Sequence, residues 1–371
     1  MGKARLCSLV LLVFAVTACG GDDSGVSLTG AAPFVVIPSS GTSTITPSPA
    51  PPPAAPHHTH SMLPFIDTTK IPAPEVGFSE ARIKVNAPQD EKPTPSGDGI
   101  GAFRTSCSFS HMNYDDAIVY PGQKAASHLH AYFGNTGADY TSTQKSIETT
   151  GNSTCSGGTA NRTGYWVPAV IDTKDGTPIK PTQMMVYYKT SYQVVDNNVS
   201  PFPAGLRMVA GDMKSTGPQD YISWGCYNQT INLSSNTIPA DCPVGATLEA
   251  NISFPICWDG VNLDSPNHKS HMSYPVQMPS APWTWSCPTT HPVLMPTMTQ
   301  KVQYTITEAG STARWRLSSD NYGTDKAGGY SLHADWFNGW DPKVQATWVN
   351  NCLRKSMDCH GFLLGDGTTL F

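Results

Sequence analysis

Two histidines in the stretch SHLHAYFGN, His128 and His130, stand two residues apart. Alternate side chains of a β-strand point to the same face of its sheet, so both imidazoles would face one side. That spacing suits two ligands on one metal ion, or two hydrogen-bonding groups that face one substrate. Two structural histidines on a surface strand would give the same pattern, so the motif alone leaves these interpretations open.

The stretch HADWFNGWD repeats this geometry. On a strand, His333 and Asp335 would share one face and Trp336 would lie on the other. A carboxylate beside a histidine can fix its tautomer and raise its basicity, which serves both metal binding and general-base catalysis. We therefore predict that Asp335 orients His333. The alternative is that Asp335 only satisfies a buried histidine.

A third cluster lies in CWDGVNLDSPNHKSHMSYP, Cys257–Pro275, which has neither a helical nor a strand period. His268 and His271 would face one site if the segment turns, and Lys269 would offer positive charge to an anionic group. Prolines stiffen the segment, which helps to position side chains in advance. We predict that it forms one wall of an extracellular site. A surface loop held by a disulfide is the alternative.

Further candidates stand beside these motifs. The stretch HMNYDDAIVYPG contributes His111 and Asp116. Flat aromatic rings stack on sugar rings, and the indole N–H adds a polar group. Trp258, Trp336 and Trp340 lie within or beside the histidine motifs and are candidates for this role, although most tryptophans are core residues.

Several common chemistries are absent from the sequence. It has no GxSxG nucleophile elbow, no HExxH zinc helix and no phosphate-binding P-loop. Lys3 and Arg5 balance Asp22 and Asp23, so the net charge of −5 belongs to residues 61–371. A nucleic-acid partner is therefore not expected, because such proteins need a basic surface.

The N-terminal region predicts export. Residues 1–18 resemble a lipoprotein signal peptide, with a basic start and an apolar run too short to span a bilayer. We predict cleavage before Cys19, lipidation of that cysteine, and membrane contact through this anchor alone. A plain secretory signal with an incidental cysteine is the alternative. Residues 19–60, rich in Pro, Ser and Thr, predict an extended tether.

Residues 61–371 predict a single secreted domain. Their eight cysteines, an even number in an exported chain, indicate disulfides rather than a zinc site, since no CxxC pair is present. Pairing of neighbours in sequence order is the simplest pattern. Within this pattern, the best-supported pairs are Cys352–Cys359 and Cys226–Cys242, because each closes a short loop.

Composition indicates a mainly β fold. Charged residues make up only 14% of the chain, and glycine and proline number 32 each, so long helices are not favoured. Short runs that favour strands recur between turn-forming clusters. They are Arg82–Val85, Tyr165–Ile171, Met184–Tyr188, Gly205–Ala210, Thr247–Phe254, Val302–Ile306 and Ala313–Leu317. We predict a jelly-roll-like β-sandwich with long loops and disulfides, and short helices over Thr141–Thr149 and Pro342–Cys352.

The motifs SHMNYDDAIVYPG, SHLHAYFGN, YWVPAV, CWDGVNLDSPNHKSHMSYP, CPTTHPVLMP and HADWFNGWD occur in this order. As a set, over roughly Arg104 to Asp341, the chain resembles a domain-of-unknown-function family of secreted fungal and bacterial proteins. Some fungal members also carry a WSC domain, which is associated with carbohydrate binding. The resemblance implies an extracellular domain associated with a cell wall or polysaccharide, and supplies no activity. The family's histidine-bearing motifs match at His111, His128, His130, His268, His271, His291 and His333.

Three functions follow as hypotheses. The leading one is a carbohydrate-active enzyme that cleaves a polysaccharide or cell-wall glycan, by hydrolysis or by β-elimination. The alternatives are a non-catalytic glycan- or cell-surface-binding protein, and a metal-binding protein in which His128, His130 and His333 hold copper or zinc. A divalent metal is the one cofactor that the residues suggest. The predicted catalytic residues are His128, His130, His271, His333, Asp335, His111, His268 and Lys269, and the predicted substrate-binding residues are Trp258, Trp336, Trp340 and Asp116.

Overall fold

Two large β-sheets contain the strands that position the histidine motifs. In chain order, the strands of the described residues are β1 (Ile83–Val85), β2 (Thr94–Pro95), β3 (Ala102–Cys107), β4 (Phe109–Asn113), β5 (His130–Gly134), β6 (Gly164–Pro168), β7 (Val170–Asp172), β8 (Thr177–Ile179), β9 (Gln183–Lys189), β10 (Arg207–Gly211), β11 (Ile222–Tyr227), β12 (Asn232–Ser235), β13 (Thr247–Ser253), β14 (Cys257–Trp258), β15 (Met272–Ser273), β16 (Val276–Met278), β17 (Ala281–Ser286), β18 (Val293–Leu294), β19 (Thr297–Thr305), β20 (Trp315–Leu317), β21 (His333–Phe337), β22 (Met357–Cys359) and β23 (Thr368–Leu370).

The structure is a computed structural model, and it describes residues 62–86, 91–194, 196–278 and 281–371. These residues belong to one compact unit, Thr59–Phe371. The predicted signal peptide (1–18), the lipidated Cys19 and the tether (19–60) lie outside the described residues. Within the described part of the chain, no helix is both long enough and apolar enough to span a membrane.

The smaller of the two sheets has five antiparallel strands in the order β10-β21-β6-β5-β4. The larger has eight, in the order β12-β11-β13-β19-β9-β3-β22-β2, antiparallel except for the β3–β22 pair. Strands β9 and β19 alternate buried and half-buried residues, so each turns one face to the core. The prediction of a mainly β sandwich with disulfides is confirmed.

Within the ranges that the structure describes, the helices are few and short. They are α1 (Gln144–Thr149), α2 (Pro342–Trp348), a π-helical turn at Val349–Leu353, and 3₁₀ turns at Thr68–Lys70 and Ser311–Arg314. Both predicted helices are therefore present. Each predicted strand run contains a strand, with two differences. The run Tyr165–Ile171 is divided between β6 and β7, which belong to different sheets, and in Ala313–Leu317 the strand is confined to β20.

The main core lies between the two sheets. Tyr165 of β6 and Tyr188 of β9 face each other across it, with their hydroxyl oxygens 2.9 Å apart. Side chains of the five-stranded sheet that point into this core alternate with side chains that point away from it. We call the face that points away from the eight-stranded sheet the outer face. It carries His130, Tyr132 and Asp335 among others.

The segment 114–129 covers the outer face. Ala117 and Ile118 are buried there against Trp166 and Phe337 in a second apolar cluster. One carboxylate oxygen of Asp116 accepts hydrogen bonds from the amides of Ile118 and Val119, at 2.8 Å each. These contacts fix the path of the segment, and it brings Asp116 and His128 onto the sheet.

Four disulfides connect the described residues, and each joins neighbours in sequence order, as predicted. The pairs are Cys107–Cys155, Cys226–Cys242, Cys257–Cys287 and Cys352–Cys359. Four disulfides indicate a protein that folds outside the reducing cytoplasm.

Candidate metal centre

Three histidines meet on the outer face of the five-stranded sheet. His130 begins β5 and His333 begins β21, and β6 lies between these strands. His128 precedes β5, and Leu129 between the two histidines is buried in the main core. The centroid of the His128 ring lies 4.3 Å from that of the His130 ring and 4.9 Å from that of the His333 ring. The predicted sharing of one face by His128 and His130 is confirmed.

Backbone carbonyls orient two of the rings. The Nδ1 of His130 lies 3.0 Å from the Asp115 carbonyl oxygen, and the Nδ1 of His333 lies 2.8 Å from the Ser331 carbonyl oxygen. A carbonyl only accepts, so each Nδ1 carries the proton and donates it. The Nε2 atom of both rings is therefore left with a lone pair, which is the form of histidine that binds metals.

The spacing of the nitrogens fits one ion. The Nε2 atoms of His128 and His333 lie 3.2 Å apart, and one ring nitrogen from each of the three residues lies within 4.8 Å of the others. Two nitrogens bound tetrahedrally to zinc at about 2.0–2.1 Å are separated by roughly 3.3 Å. The same contact can be a hydrogen bond from His128 to His333. Binding an ion requires His128 to carry its proton on Nδ1 instead.

Burial keeps the three rings neutral. It lowers the pKa of His130 to about 3, with a further contribution from the neighbouring charge of His333. Burial likewise lowers the pKa of His333 to about 4, and holds that of His128 well below its usual range. Neutral imidazoles at neutral pH need not lose a proton to become ligands.

Two buried carboxyl groups adjoin this cluster. One oxygen each of Asp116 and Asp335 lies within 4.8 Å of the other and of a ring nitrogen of His130. Both residues are 1% exposed. Among the described residues, neither oxygen of Asp335, nor Oδ2 of Asp116, nor Nε2 of His130 has a hydrogen-bond partner. These four buried polar atoms are thus available to bind a ligand such as a metal ion.

Burial raises the pKa of both carboxyl groups. That of Asp116 rises to about 6. That of Asp335 rises well above its usual range, first because of burial and then because of the nearby charge of Asp116. Each carboxylate therefore pays an electrostatic penalty that a nearby cation would relieve.

Asp335 does not orient His333 as predicted, because the Ser331 carbonyl takes that place. Ser331 is in turn held by Asp320, whose Oδ1 accepts from the Ser331 amide at 3.3 Å and from its hydroxyl at 2.6 Å. Asp115, Ser331 and Asp320 were missed by sequence reasoning. Two of them act through backbone carbonyls, which any residue possesses, so no residue type could have signalled them.

A cleft of about 830 Å³ opens beside the cluster at His128, which is half-buried. Three tyrosines line it, Tyr114, Tyr120 and Tyr322, together with several serine and threonine residues and Lys214. None of the described residues that line it is acidic. Since His130 and His333 are buried, His128 connects the cluster with the cleft.

The segment Cys257–Pro275 lies along β10 at the edge of the five-stranded sheet. His271 is buried, and its Nε2 donates to the Arg207 carbonyl at 2.7 Å while its Nδ1 meets the Ser265 hydroxyl at 3.0 Å. Both of its nitrogens are used, so His271 attaches the segment to the sheet and does not join the cluster.

The other two predicted residues of that segment also have partners. His268 lies 3.0 Å from an oxygen of Asp264, and the Lys269 ammonium donates to the Gly211 carbonyl. Burial dominates the raised pKa of Asp335, and the charge of Lys269 opposes it. The segment therefore flanks the carboxyl pair without pairing with it.

The remaining predicted residues lie apart from the histidine cluster. His111 stacks on Tyr132 with centroids 4.6 Å apart, and its two nitrogens meet the Ser110 hydroxyl and the Ala138 carbonyl. Trp258 is half-buried and donates to the Asn262 carbonyl. Trp336 and Trp340 are 0% and 2% exposed in the main core, so neither indole offers a face to a ligand.

The profile of the family described as "Domain of unknown function (DUF1996)" matches residues 116–340, more than half of the chain. The chain belongs to this family. The matched DUF1996 region begins at Asp116 and contains His128, His130, His333 and Asp335. Neither the curated proteins nor the solved structures contain a match to the chain.

Proposed function

We propose that this DUF1996 protein binds one transition-metal ion, zinc or copper, through His128, His130 and His333. The observation that carries the proposal is the convergence of three neutral imidazoles, two of which have their Nδ1 protons held by backbone carbonyls. Imidazole ligands suit zinc and copper, whereas calcium and magnesium prefer oxygen.

Three protein ligands are the number found in catalytic zinc sites, where the fourth position stays open for water or a substrate. The cleft adjoins the cluster at His128, so a molecule in the cleft could reach that position. The protein around the cluster buries His130 and His333 and so excludes bulk water from two of the three ligands. This arrangement supports a reactive or ligand-binding centre over a closed structural one.

The test is a metal analysis of the purified full chain beside a His128→Ala/His130→Ala double variant. We expect near-stoichiometric zinc or copper in the wild-type protein and its loss from the double variant, with the circular dichroism spectrum unchanged. His360→Ala is the matched control, because His360 lies 3.0 Å from Glu91 in a salt bridge away from the cluster. Wild-type protein that takes up neither ion, or a double variant that keeps its ion, would refute the proposal.

Polysaccharide cleavage is the second candidate, and the cleft favours it. Its three tyrosines and its hydroxyl groups suit a sugar chain, and a metal ion could neutralise the carboxylate of a uronic acid during β-elimination. Hydrolysis by two carboxyl groups has less support, because Asp116 and Asp335 are both buried beneath the histidines.

Metal-loaded and chelated protein should be incubated with acidic and neutral polysaccharides. We expect unsaturated products from an acidic polysaccharide with the loaded wild-type protein only. New reducing ends without unsaturation would indicate hydrolysis instead. Retained binding without any product would favour the glycan-binding alternative. Export, lipidation of Cys19 and attachment through that lipid complete the proposal, with the four disulfides as support for the first of these.

A further inference from the structure

Two carboxyl groups are buried beside the histidine cluster and form no salt bridge with a described basic side chain. Asp116 and Asp335 are each 1% exposed, and three of their four oxygens lack a hydrogen-bond partner among the described residues. An isolated buried carboxylate costs several kcal/mol, roughly, and proteins normally pair or hydrogen-bond it. Here no described basic side chain pairs with either group, and the hydrogen bonds from the Ile118 and Val119 amides reach only one oxygen of Asp116.

The basic side chains nearest to the pair have other partners. On the segment beside β10, Lys269 donates to the Gly211 carbonyl and His268 pairs with Asp264. On β10 itself, Arg207 pairs with Asp264 at 3.3 Å and lies over the Phe337 ring. The three histidines on the other side are neutral at neutral pH. No described basic side chain forms a salt bridge with Asp116 or Asp335.

Among the described residues, the carboxyl pair has no third ligand of its own for a second ion, because the two possible ligand groups share His130. One possible ligand group is His128, His130 and His333, and the other is Asp116, His130 and Asp335. His130 has a single unprotonated nitrogen, Nε2, because its Nδ1 donates to the Asp115 carbonyl. That lone pair binds one ion. The carboxylates therefore either bind the ion that the histidines hold or lie immediately behind it.

We infer that Asp116 and Asp335 make this site select a divalent ion over a monovalent one such as Cu(I). The inference rests on the proposed function. With both carboxyl groups ionised beside a bound cation, three neutral imidazoles and two carboxylates carry a charge of −2, which a divalent ion cancels and a monovalent ion leaves half-compensated. Coulomb energy is proportional to the charge of the ion, so the carboxylates attract Zn(II) about twice as strongly as Cu(I).

The test compares wild-type protein with Asp116→Asn/Asp335→Asn, which keeps the side-chain shapes and removes both charges. Zn(II) affinity is measured by competition with a chromophoric chelator, and Cu(I) affinity by competition with a Cu(I)-specific chelator under anaerobic reducing conditions. We expect a loss of about 100-fold or more for Zn(II) and of about tenfold for Cu(I), since the logarithm of the loss follows the ion's charge. Asp241→Asn, at an exposed aspartate, is the control and should change neither value.

Equal losses for the two ions, or no loss for Zn(II), would overturn the inference. Wild-type protein that binds neither ion would instead overturn the proposed function, so the two failures are distinguishable. Thermal unfolding with a chelator present checks the fold: the Asn variant should unfold no earlier than wild type, because it lacks two buried carboxyl groups whose ionisation the low-dielectric surroundings oppose. If the double variant does not fold, Asp335→Asn alone is measured, with a larger loss for Zn(II) than for Cu(I) expected.

Discussion

The Nε2 atoms of His128 and His333 lie 3.2 Å apart, although the two residues are separated by 205 positions in the chain. The contact exists only because β5 and β21 lie on either side of β6 in one sheet. A bound ion would therefore connect distant parts of the chain. Binding to the folded state alone raises its stability.

Zinc should stabilise the wild-type protein through this connection. With free zinc at about 100 times the dissociation constant, the free energy of unfolding should rise by about 2.7 kcal/mol. In the His333→Ala variant, the same zinc concentration should leave the free energy of unfolding unchanged. Thermal unfolding with zinc or chelator measures both, and His360→Ala should respond as wild type does. An equal zinc response in His333→Ala would show that zinc binds elsewhere.

Asp320 should support metal binding from a distance. Its carboxylate accepts from the Ser331 amide and hydroxyl and from the amides of Leu317 and Gly329. The Asp320→Asn substitution weakens these four hydrogen bonds, so we expect the free energy of unfolding to fall by about 2–4 kcal/mol. Because Ser331 orients His333, zinc affinity should also fall by about 10- to 100-fold.

Chelator competition and denaturant unfolding separate these two effects of Asp320→Asn. The spectrum of the Co(II)-loaded protein should also change, since a tilted His333 ring alters the geometry at the ion. A variant that is less stable but has unchanged zinc affinity and an unchanged Co(II) spectrum would assign Asp320 a purely structural role.

Lowering the pH should destabilise the metal-free protein because of His333. Its pKa is lowered from 6.5 to about 4 in the folded state. Below pH 6.5 the unfolded chain takes up a proton that the folded state does not, so stability is lost as pH falls through this window. Relative to His333→Gln, the free energy of unfolding should decline by about 1.4 kcal/mol for each pH unit. Denaturant unfolding from pH 7 to pH 4 tests this, and parallel curves would contradict it.

The disulfides should contribute unequally. Cys107–Cys155 closes a separation of 48 residues and Cys352–Cys359 a separation of 7. Loop-closure entropy then predicts losses of about 4 and about 2 kcal/mol when each pair is replaced by serine. Denaturant unfolding of the two double variants measures the difference. A greater loss for the shorter loop would show that packing around the sulfurs dominates.

Sequence reasoning predicted what local periodicity controls. The alternation of side chains along a strand placed His128 beside His130, and set Trp336 on the face opposite His333. It could not pair Asp116 with Asp335, because that meeting depends on which strands are neighbours and on how segment 114–129 covers the sheet.

The segment Cys257–Pro275 shows the opposite limit. His271 has the residue type and the surroundings of a reactive group, yet both of its nitrogens hold the segment to β10. A buried histidine with two partners and a buried histidine with one free nitrogen look alike in a sequence. The difference appears only when the partner of each nitrogen is known.

Of the three cluster histidines, His128 alone reaches the cleft, while His130 and His333 are sealed beneath it. Within the described part of the chain, an ion bound there would face the cleft past His128, so its exchange with the surroundings would depend on movement of that side chain. The rate at which the protein takes up and releases its ion would then be set on the cleft side of the site. The preference for a divalent ion would be set on the buried side, by the carboxyl pair.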